Sequence, residues 1–272
     1  MIDLGRFVQL AKETAVCAGK EILEIRKQNR VEVKIKQDGS PVTNADIRAD
    51  CMIVEQLAKE FPELIFITEE MSEYPKEGCP KTEAFVLVDP LDGTKGYIKG
   101  GDYFTVNIAL IVHQEPVVGI IYAPALDMLF WNNEIGAAWR NYGVDGSMIQ
   151  RLRVSQVENA ERIASSASKA DSKTKSYIEK AYPECTTVSV ASSFKFCHLA
   201  AGDVDVYPRL DSLMQWDTAA GDAIVRASGG VVYNLADRKD LQYGGESLRG
   251  KAFVAASSPG IIIWPSNFSD GV

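Results

Sequence analysis

The chain has 272 residues, of which 46% are hydrophobic and 24% charged, with a net charge of -8 and a pI near 5.0. This is ordinary globular composition, with enough chain to bury a core in one large domain or two tightly joined halves. The acidic balance argues against non-specific nucleic-acid binding and attachment to anionic membranes, and no apolar run approaches the ~20 residues a membrane span needs.

The opening Met1-Ile2-Asp3-Leu4-Gly5-Arg6 lacks a basic-then-apolar leader pattern, so a cytoplasmic location is expected. Five cysteines without a Cys-x-x-Cys pair suggest neither a disulfide framework nor a zinc site. Cys17 and Cys51 read as small core residues of helices.

Phe7, Leu10, Ala11, Ala15, Ala18, Ile22 and Ile25 recur at helical spacing and predict one long amphipathic helix from Leu4 to about Lys27. Val31 to Lys36 alternates as a strand does, and Gln37-Asp38-Gly39-Ser40-Pro41 is a turn cluster. Thr43-Asn44-Ala45-Asp46 forms a capping box in its aspartate form, opening a helix to about Phe61. Leu64 to Ile67 is a short strand ending in Thr68-Glu69-Glu70, and Met71 to Thr82 reads as an exposed loop. Val86-Leu87-Val88 predicts a buried strand, stopped by Pro90 and Gly93 within Asp89-Pro90-Leu91-Asp92-Gly93-Thr94. Antiparallel strands follow at Thr105–Val112, Pro116–Tyr122, Met128–Trp131 and Gly136–Arg140.

A second half is expected from about residue 151, giving an α+β half over 1–150 and an α/β half over 151–272 that act as one domain. Its strands are Arg162–Ser165, Thr187–Val190, Val204–Tyr207, Val231–Tyr233 and Ala252–Ala256, with helices at Ser172–Tyr182, Phe194–Ala201 and Asp217–Ser228. Asp217 is placed as the N-cap of the last helix, with Gly229-Gly230 as its stop.

Asp46, Glu69, Asp89, Asp92 and Asp217 all fall where a strand ends or a helix begins, the places where active-site loops gather. Each has an ordinary structural role to offer, as a cap or a solvated turn. Taken together they form an oxygen-only donor set of the kind that selects Mg²⁺, Mn²⁺ or Ca²⁺. Asp92-Gly93-Thr94 adds backbone N–H groups and a hydroxyl suited to a phosphate. His113 lies in a turn, and His198 reads as a packing residue rather than a base. There is no P-loop, Gly-x-Ser-x-Gly or Gly-x-Gly-x-x-Gly. Metal-assisted hydrolysis of a phosphate ester is the physical reading.

Asp-Pro-Leu-Asp-Gly-Thr at 89–94 and Trp-Asp-Thr-Ala-Ala-Gly at 216–221 resemble the two signatures of the inositol monophosphatase superfamily. Pro41-Val42-Thr43-Asn44-Ala45-Asp46 and Thr68-Glu69-Glu70 extend the resemblance in the same order over nearly the whole chain. Lys95 after Asp-Gly-Thr, with Phe104 to Leu110 and Tyr122-Ala123-Pro124, is similar to the 3′(2′),5′-bisphosphate nucleotidase branch in its bacterial sulfur-assimilation form.

The resemblance implies a layered αβαβα sandwich of the sugar-phosphatase type and a lithium-sensitive, Mg²⁺-dependent phosphatase. The expected reaction removes the 3′-phosphate of adenosine 3′,5′-bisphosphate, and 3′-phosphoadenylylsulfate is a second expected substrate. Glu69, Asp89 and the Leu91 carbonyl would hold one ion; Asp89, Asp92 and Asp217 a second; Glu69 and Asp46, through water, a looser third. Asp46 and Thr94 would activate water, while Gly93 and Thr94 would hold phosphate. Lys95, Ser192, Lys195 and Asp217 would meet substrate, and Ser165, Ser168 and Arg209 would line the nucleoside, although surface roles fit Ser192, Lys195, Ser165, Ser168 and Arg209 equally and a solvated side chain is the ordinary role of Lys95. The resemblance leaves open a homodimer and a peripheral association with the inner membrane. The alternatives are an inositol monophosphatase, a fructose-1,6-bisphosphatase, or a non-catalytic nucleotide- or metal-binding regulator.

Overall fold

The computed structural model describes residues 2–71, 83–133, 135–143, 148–166 and 172–265. The expected loop at 71–82 therefore lies outside the described residues except for Met71, and Ser168 lies outside them too.

Helix α1 (Leu4–Lys27) is started by the Asp3 carboxylate, which accepts the Arg6 N–H, and carries Arg26 and Lys27 at its negative C-terminal end. A hairpin of β1 (Val33–Ile35) and β2 (Pro41–Thr43) leads into α2 (Asn44–Glu60). A seven-stranded sheet follows, made of β3 (Ile65–Thr68), β4 (Ala84–Asp92), β5 (Thr105–Val112), β6 (Glu115–Ala123), β7 (Met128–Asn132), β8 (Ala138–Tyr142) and β9 (Met148–Arg151). These strands lie in chain order, antiparallel apart from the parallel pair β3–β4, with the single-turn helix α3 (Thr94–Ile98) between β4 and β5.

The chain then builds β10 (Arg162–Ser166), α4 (Ser172–Ala181), β11 (Thr186–Val190), α5 (Phe194–Ala200), β12 (Val206–Arg209), α6 (Gln215–Ala227), β13 (Val231–Asn234) and β14 (Phe253–Ala256). Its sheet runs β11-β10-β12-β14-β13.

Side-chain parity explains the layering. On the first sheet, Val86, Val88, Val106, Ile108 and Leu110 pack with Phe7, Ala11, Ala18, Ile53 and Leu57 of α1 and α2. Phe85, Leu87, Ala109 and Ile111 point the other way, onto Phe196, Leu199, Ala220 and Ile224 of α5 and α6. Those two helices also cover Ala164, Tyr207, Phe253 and Ala255 of the second sheet. The alternate residues Ile163, Val206, Val254 and Ala256 pack instead with Tyr177 and Ile178 of α4. A residue period of two on each strand thus produces helix, sheet, helix, sheet and helix layers, the expected sandwich.

Several expectations need correction. The strand at Val86 does not stop at Pro90 but runs on to Asp92, because a bulge absorbs the proline. Asp217 is not the N-cap of α6: Met214 caps it, and Asp217 sits one turn in, with its carboxylate accepting the Met214 N–H at 2.8 Å. Pro41 belongs to β2 rather than to the turn. Cys17 and Cys51 are exposed, since both fall beside the apolar stripes of their helices rather than on them. Strand β9 closes the first sheet with four exposed residues, a pattern that gives no alternation to read.

Helix α6 lies close on β6. A Cβ built on Gly119 would stand 2.2 Å from the Ala220 carbonyl oxygen, a backbone atom that moves only with the helix. Gly119→Ala should therefore destabilise the fold by about 3 kcal/mol, the upper end of the range for overpacking. The denaturant midpoint against the parent reads this, and an unchanged midpoint would refute the tight seam.

Candidate active site

The bulge in β4 organises the site. Asp89 pairs with Asn107 and Asp92 with Thr105, so three steps on β4 match two on β5. Residues three apart on a regular strand face opposite sides; the extra residue returns Asp92 to the side of Asp89. That side looks toward α5 and α6. Pro90, which has no N–H to give, occupies the irregular stretch where the ladder can spare a donor.

Glu69 joins this edge because its backbone N–H continues the β3–β4 ladder to the Val88 carbonyl at 3.1 Å. Asp217 arrives from the first turn of α6, whose N-terminal end favours negative charge. Oxygen atoms of Glu69, Asp89 and Asp217 lie within 4.8 Å of one another. Asp92 uses Oδ2 to accept both the N–H and the hydroxyl of Ser193, each at 2.7 Å. Asp89 Oδ1 accepts the Leu91 N–H at 3.0 Å.

Asp46, 1% exposed, is the third helical residue of α2. Its Oδ2 closes the capping box with the Thr43 N–H and hydroxyl, leaving Oδ1 to face the Thr94 hydroxyl at 3.0 Å. The same hydroxyl is 3.0 Å from the Leu91 carbonyl oxygen, and with one proton it can donate to only one of them. Gly93 precedes α3 with φ +99°, and a Cβ there would stand 3.1 Å from the Tyr103 carbonyl oxygen. Its left-handed turn and the close backbone both call for glycine.

Burial is the largest influence on the acids. It raises Asp89 well above the usual carboxylate range, helped by Glu69, Asp92, Asp217 and Asp46. Asp217 is pushed up to about 8 by burial and then by Asp92 and Glu69. Asp89 and Asp217 are close enough to hydrogen-bond each other, which requires a proton between them. Burial also raises Asp46, against the pull of Thr43. Glu69 is raised by burial even though Lys36 opposes it. Lys36 bonds Glu69 at 2.9 Å and Glu70 at 2.7 Å.

Lys36 and Ser193 are participants that sequence reasoning missed. In the sequence Lys36 is only the end of an alternating strand, and Ser193 only part of a substrate segment. Both touch a predicted ligand across more than thirty residues of chain. No local spacing signals such a contact.

The remaining expected residues are more scattered. Lys95 is exposed on α3. Ser192, with φ +53°, bonds Thr105 through their hydroxyls at 3.0 Å. Lys195 is 6% exposed, donates to the Ser192 carbonyl at 2.6 Å and is lowered to about 8 by burial. Ser165 lies on β10, and Arg209 ends β12. His198 Nδ1–H donates to Asp203 Oδ2 at 3.0 Å.

Carboxylates that repel one another in a sheltered cleft, with oxygen the only donor type, fit a hard divalent cation and not zinc or copper. Fold and site together define a layered α/β protein whose Glu69, Asp89 and Asp217 are placed so that they could hold such a cation. The chain belongs to the inositol monophosphatase family, which matches residues 3–261. It is 38% identical to the 3′(2′),5′-bisphosphate nucleotidase CysQ of Buchnera aphidicola over 84% of this chain and 83% of that one. Against the protein of the same description from Escherichia coli K12 the identity is 36%, over 88% and 93%. Among solved structures, CysQ from Bacteroides thetaiotaomicron superposes with a TM-score of 0.81 at 31% identity, covering 93% of this chain and 98% of that one. The Thermotoga maritima IMPase gives 0.76 at 25%, covering 94% and 93%.

Proposed function

We propose that this protein is a Mg²⁺-dependent 3′(2′),5′-bisphosphate nucleotidase that hydrolyses the 3′-phosphate of adenosine 3′,5′-bisphosphate to AMP and phosphate, clearing the by-product of sulfate activation. The observation that carries the reaction class is the convergence of Glu69, Asp89 and Asp217 oxygens within 4.8 Å. The substrate class follows from the nucleotidase relatives at 36–38% identity.

Glu69, Asp89 and the Leu91 carbonyl would hold one Mg²⁺, and Asp89, Asp92 and Asp217 would hold a second. Glu69 and Asp46, through water, would share a looser third. When bound, the ions would supply a water of lowered pKa and neutralise charge on the attacking and leaving oxygens of an in-line displacement. The chain's own groups do the rest. The Thr94 hydroxyl, 3.0 Å from Asp46 Oδ1, would pass its proton to that carboxylate as it takes one from the attacking water. Asp46 is suited to holding that proton because burial has raised its basicity. The capping box fixes the carboxylate while this happens. Gly93 lets the backbone approach the phosphate, and Thr94 N–H donates to it. Lys95, Ser192 and Lys195 contribute to the nucleotide side.

No helix among the described residues is long and apolar enough to cross a membrane. A panel of adenosine 3′,5′-bisphosphate, 3′-phosphoadenylylsulfate, inositol monophosphate and fructose 1,6-bisphosphate, with and without Mg²⁺ and Li⁺, tests the reading. The adenosine bisphosphate should be preferred, Mg²⁺ required and Li⁺ inhibitory. A preference for inositol monophosphate would overturn the substrate, and no phosphate release from any of them would favour a binding protein instead.

A further inference from the structure

The nearest unclaimed groups to the carboxylates come from β5 and the turn before α5. Asn107 and Thr105 are on the face of β5 that otherwise carries Ala109 and Ile111 into the apolar layer between the sheets. Two polar side chains at the end of such a row are costly there unless they are bonded. Thr105 bonds Ser192, and Asn107 Nδ2 donates to Ser193 Oγ at 2.8 Å. Ser193 Oγ in turn donates to Asp92 Oδ2 at 2.7 Å, and its own N–H donates to the same oxygen at 2.7 Å. Asn107 is 1% exposed and Ser193 3%. The Asn107 Oδ1 atom is buried with no hydrogen-bond partner among the described residues. An amide at that position whose oxygen makes no bond leaves the bond from its nitrogen as its role.

We infer that Asn107 and Ser193 form a positioning relay for Asp92. Two donors occupy Oδ2, so the carboxylate cannot rotate and only Oδ1 is presented to the cleft shared with Asp89 and Asp217. Asn107, by donating to Ser193 Oγ, leaves that hydroxyl's single proton for Asp92. The relay also joins the two halves of the chain at the site, since Asp92 and Asn107 come from the first sheet and Ser193 from the second half. Groups that orient a metal-binding carboxylate in this way typically change metal affinity by about 10–100-fold when removed. The relay rests on the proposed role of Asp92 as a ligand.

The test measures Mn²⁺ bound to the full chain by electron paramagnetic resonance of the free ion, in Ser193→Ala, Asn107→Ala, Asp92→Asn and the doubles of each with Asp92→Asn. Ser193→Ala should weaken the affected site by about 10-fold or more and Asn107→Ala by less. Neither should weaken it further in the Asp92→Asn background. A merely structural role would move the doubles as far as the singles, and that additivity would refute the relay. If Asp92→Asn weakens Mn²⁺ while Ser193→Ala and Asn107→Ala bind normally, the relay fails and the ligand assignment stands. If Asp92→Asn itself binds Mn²⁺ normally, the ligand assignment fails and the relay with it. Should Ser193→Ala not fold, Asn107→Ala and its double with Asp92→Asn carry the comparison alone.

Discussion

Asp89→Asn should lower phosphate release by orders of magnitude while leaving the fold intact. The substitution keeps the shape of the side chain, and its amide oxygen can still accept the Leu91 N–H that Asp89 Oδ1 accepts at 3.0 Å. What it removes is a negative charge at the one position proposed to bridge two ions. A neutral amide is a poor bridge between hard cations, and charge at the reacting phosphate is then left uncompensated. Stability should move the other way. Asp89 lies in a buried group of acids that raise one another, so removing its charge relieves repulsion when no cation is present. In chelator, the melting temperature of Asp89→Asn should equal or exceed that of the parent, a trade of stability against activity common at functional sites. Steady-state kinetics with adenosine 3′,5′-bisphosphate and a melting curve in chelator read the two effects. Near-normal turnover would contradict the metal assignment, and a collapsed melting temperature would mean that Asp89 is chiefly structural.

The parts of this site legible in the sequence are those written locally. Thr43-x-x-Asp46 is a capping box over four residues, and the structure contains it, with the second oxygen of Asp46 free to face Thr94. Asp89 and Asp92 flank a proline within one short motif, but the motif does not reveal that they share a side. That depends on the bulge against Asn107 and Thr105, a property of the pairing between two strands. Asp217 reads as a helix start but one turn out of place, because an aspartate that bonds the cap's N–H from the third helical position looks the same in sequence as one at the cap. Lys36 and Ser193 are not legible at all. Their contacts join residues 33 and 101 positions apart, and nothing in a lysine ending a strand or a serine in a Ser-Ser pair marks its partner. The αβαβα layering is expected from the family resemblance, whereas strand parity and helix periodicity locate the individual elements and not the order in which they stack. Cys17 shows the limit of that reasoning, since one step around a helix separates an exposed thiol from buried Ala18.

Stripped of divalent cations, the protein should become less stable as pH rises from about 5 to about 8, and Mg²⁺ should restore most of that loss at the upper end. Asp217 has a folded-state pKa of about 8, and Asp89 and Asp46 are raised as well, in each case first by burial. In the unfolded chain these carboxyls return to about 4. Between the two values the folded state holds protons that the unfolded state has released, so stability falls as pH rises. The contribution of the protonated acids is fully present below the unfolded pKa and fully lost above the folded one, which places the window at about pH 4 to 8. Each pH unit by which a folded pKa exceeds its unfolded value corresponds to about 1.4 kcal/mol. Because these acids share protons, the combined loss is on the order of a few kcal/mol rather than the sum over groups. This is the reverse of a carboxylate held by a salt bridge, which loses stability as pH falls. A cation bound to the ionised acids favours the folded state by mass action, so the rise in melting temperature with Mg²⁺ should be larger at about pH 8 than at about pH 5.5. Melting curves in chelator and in excess Mg²⁺ across that range give both slopes. A chelated protein that grows more stable toward pH 8 would mean that Lys36, not a divalent cation, already balances the cluster. The expected result is the opposite, because one ammonium shared by Glu69 and Glu70 leaves Asp89, Asp92 and Asp217 to repel one another.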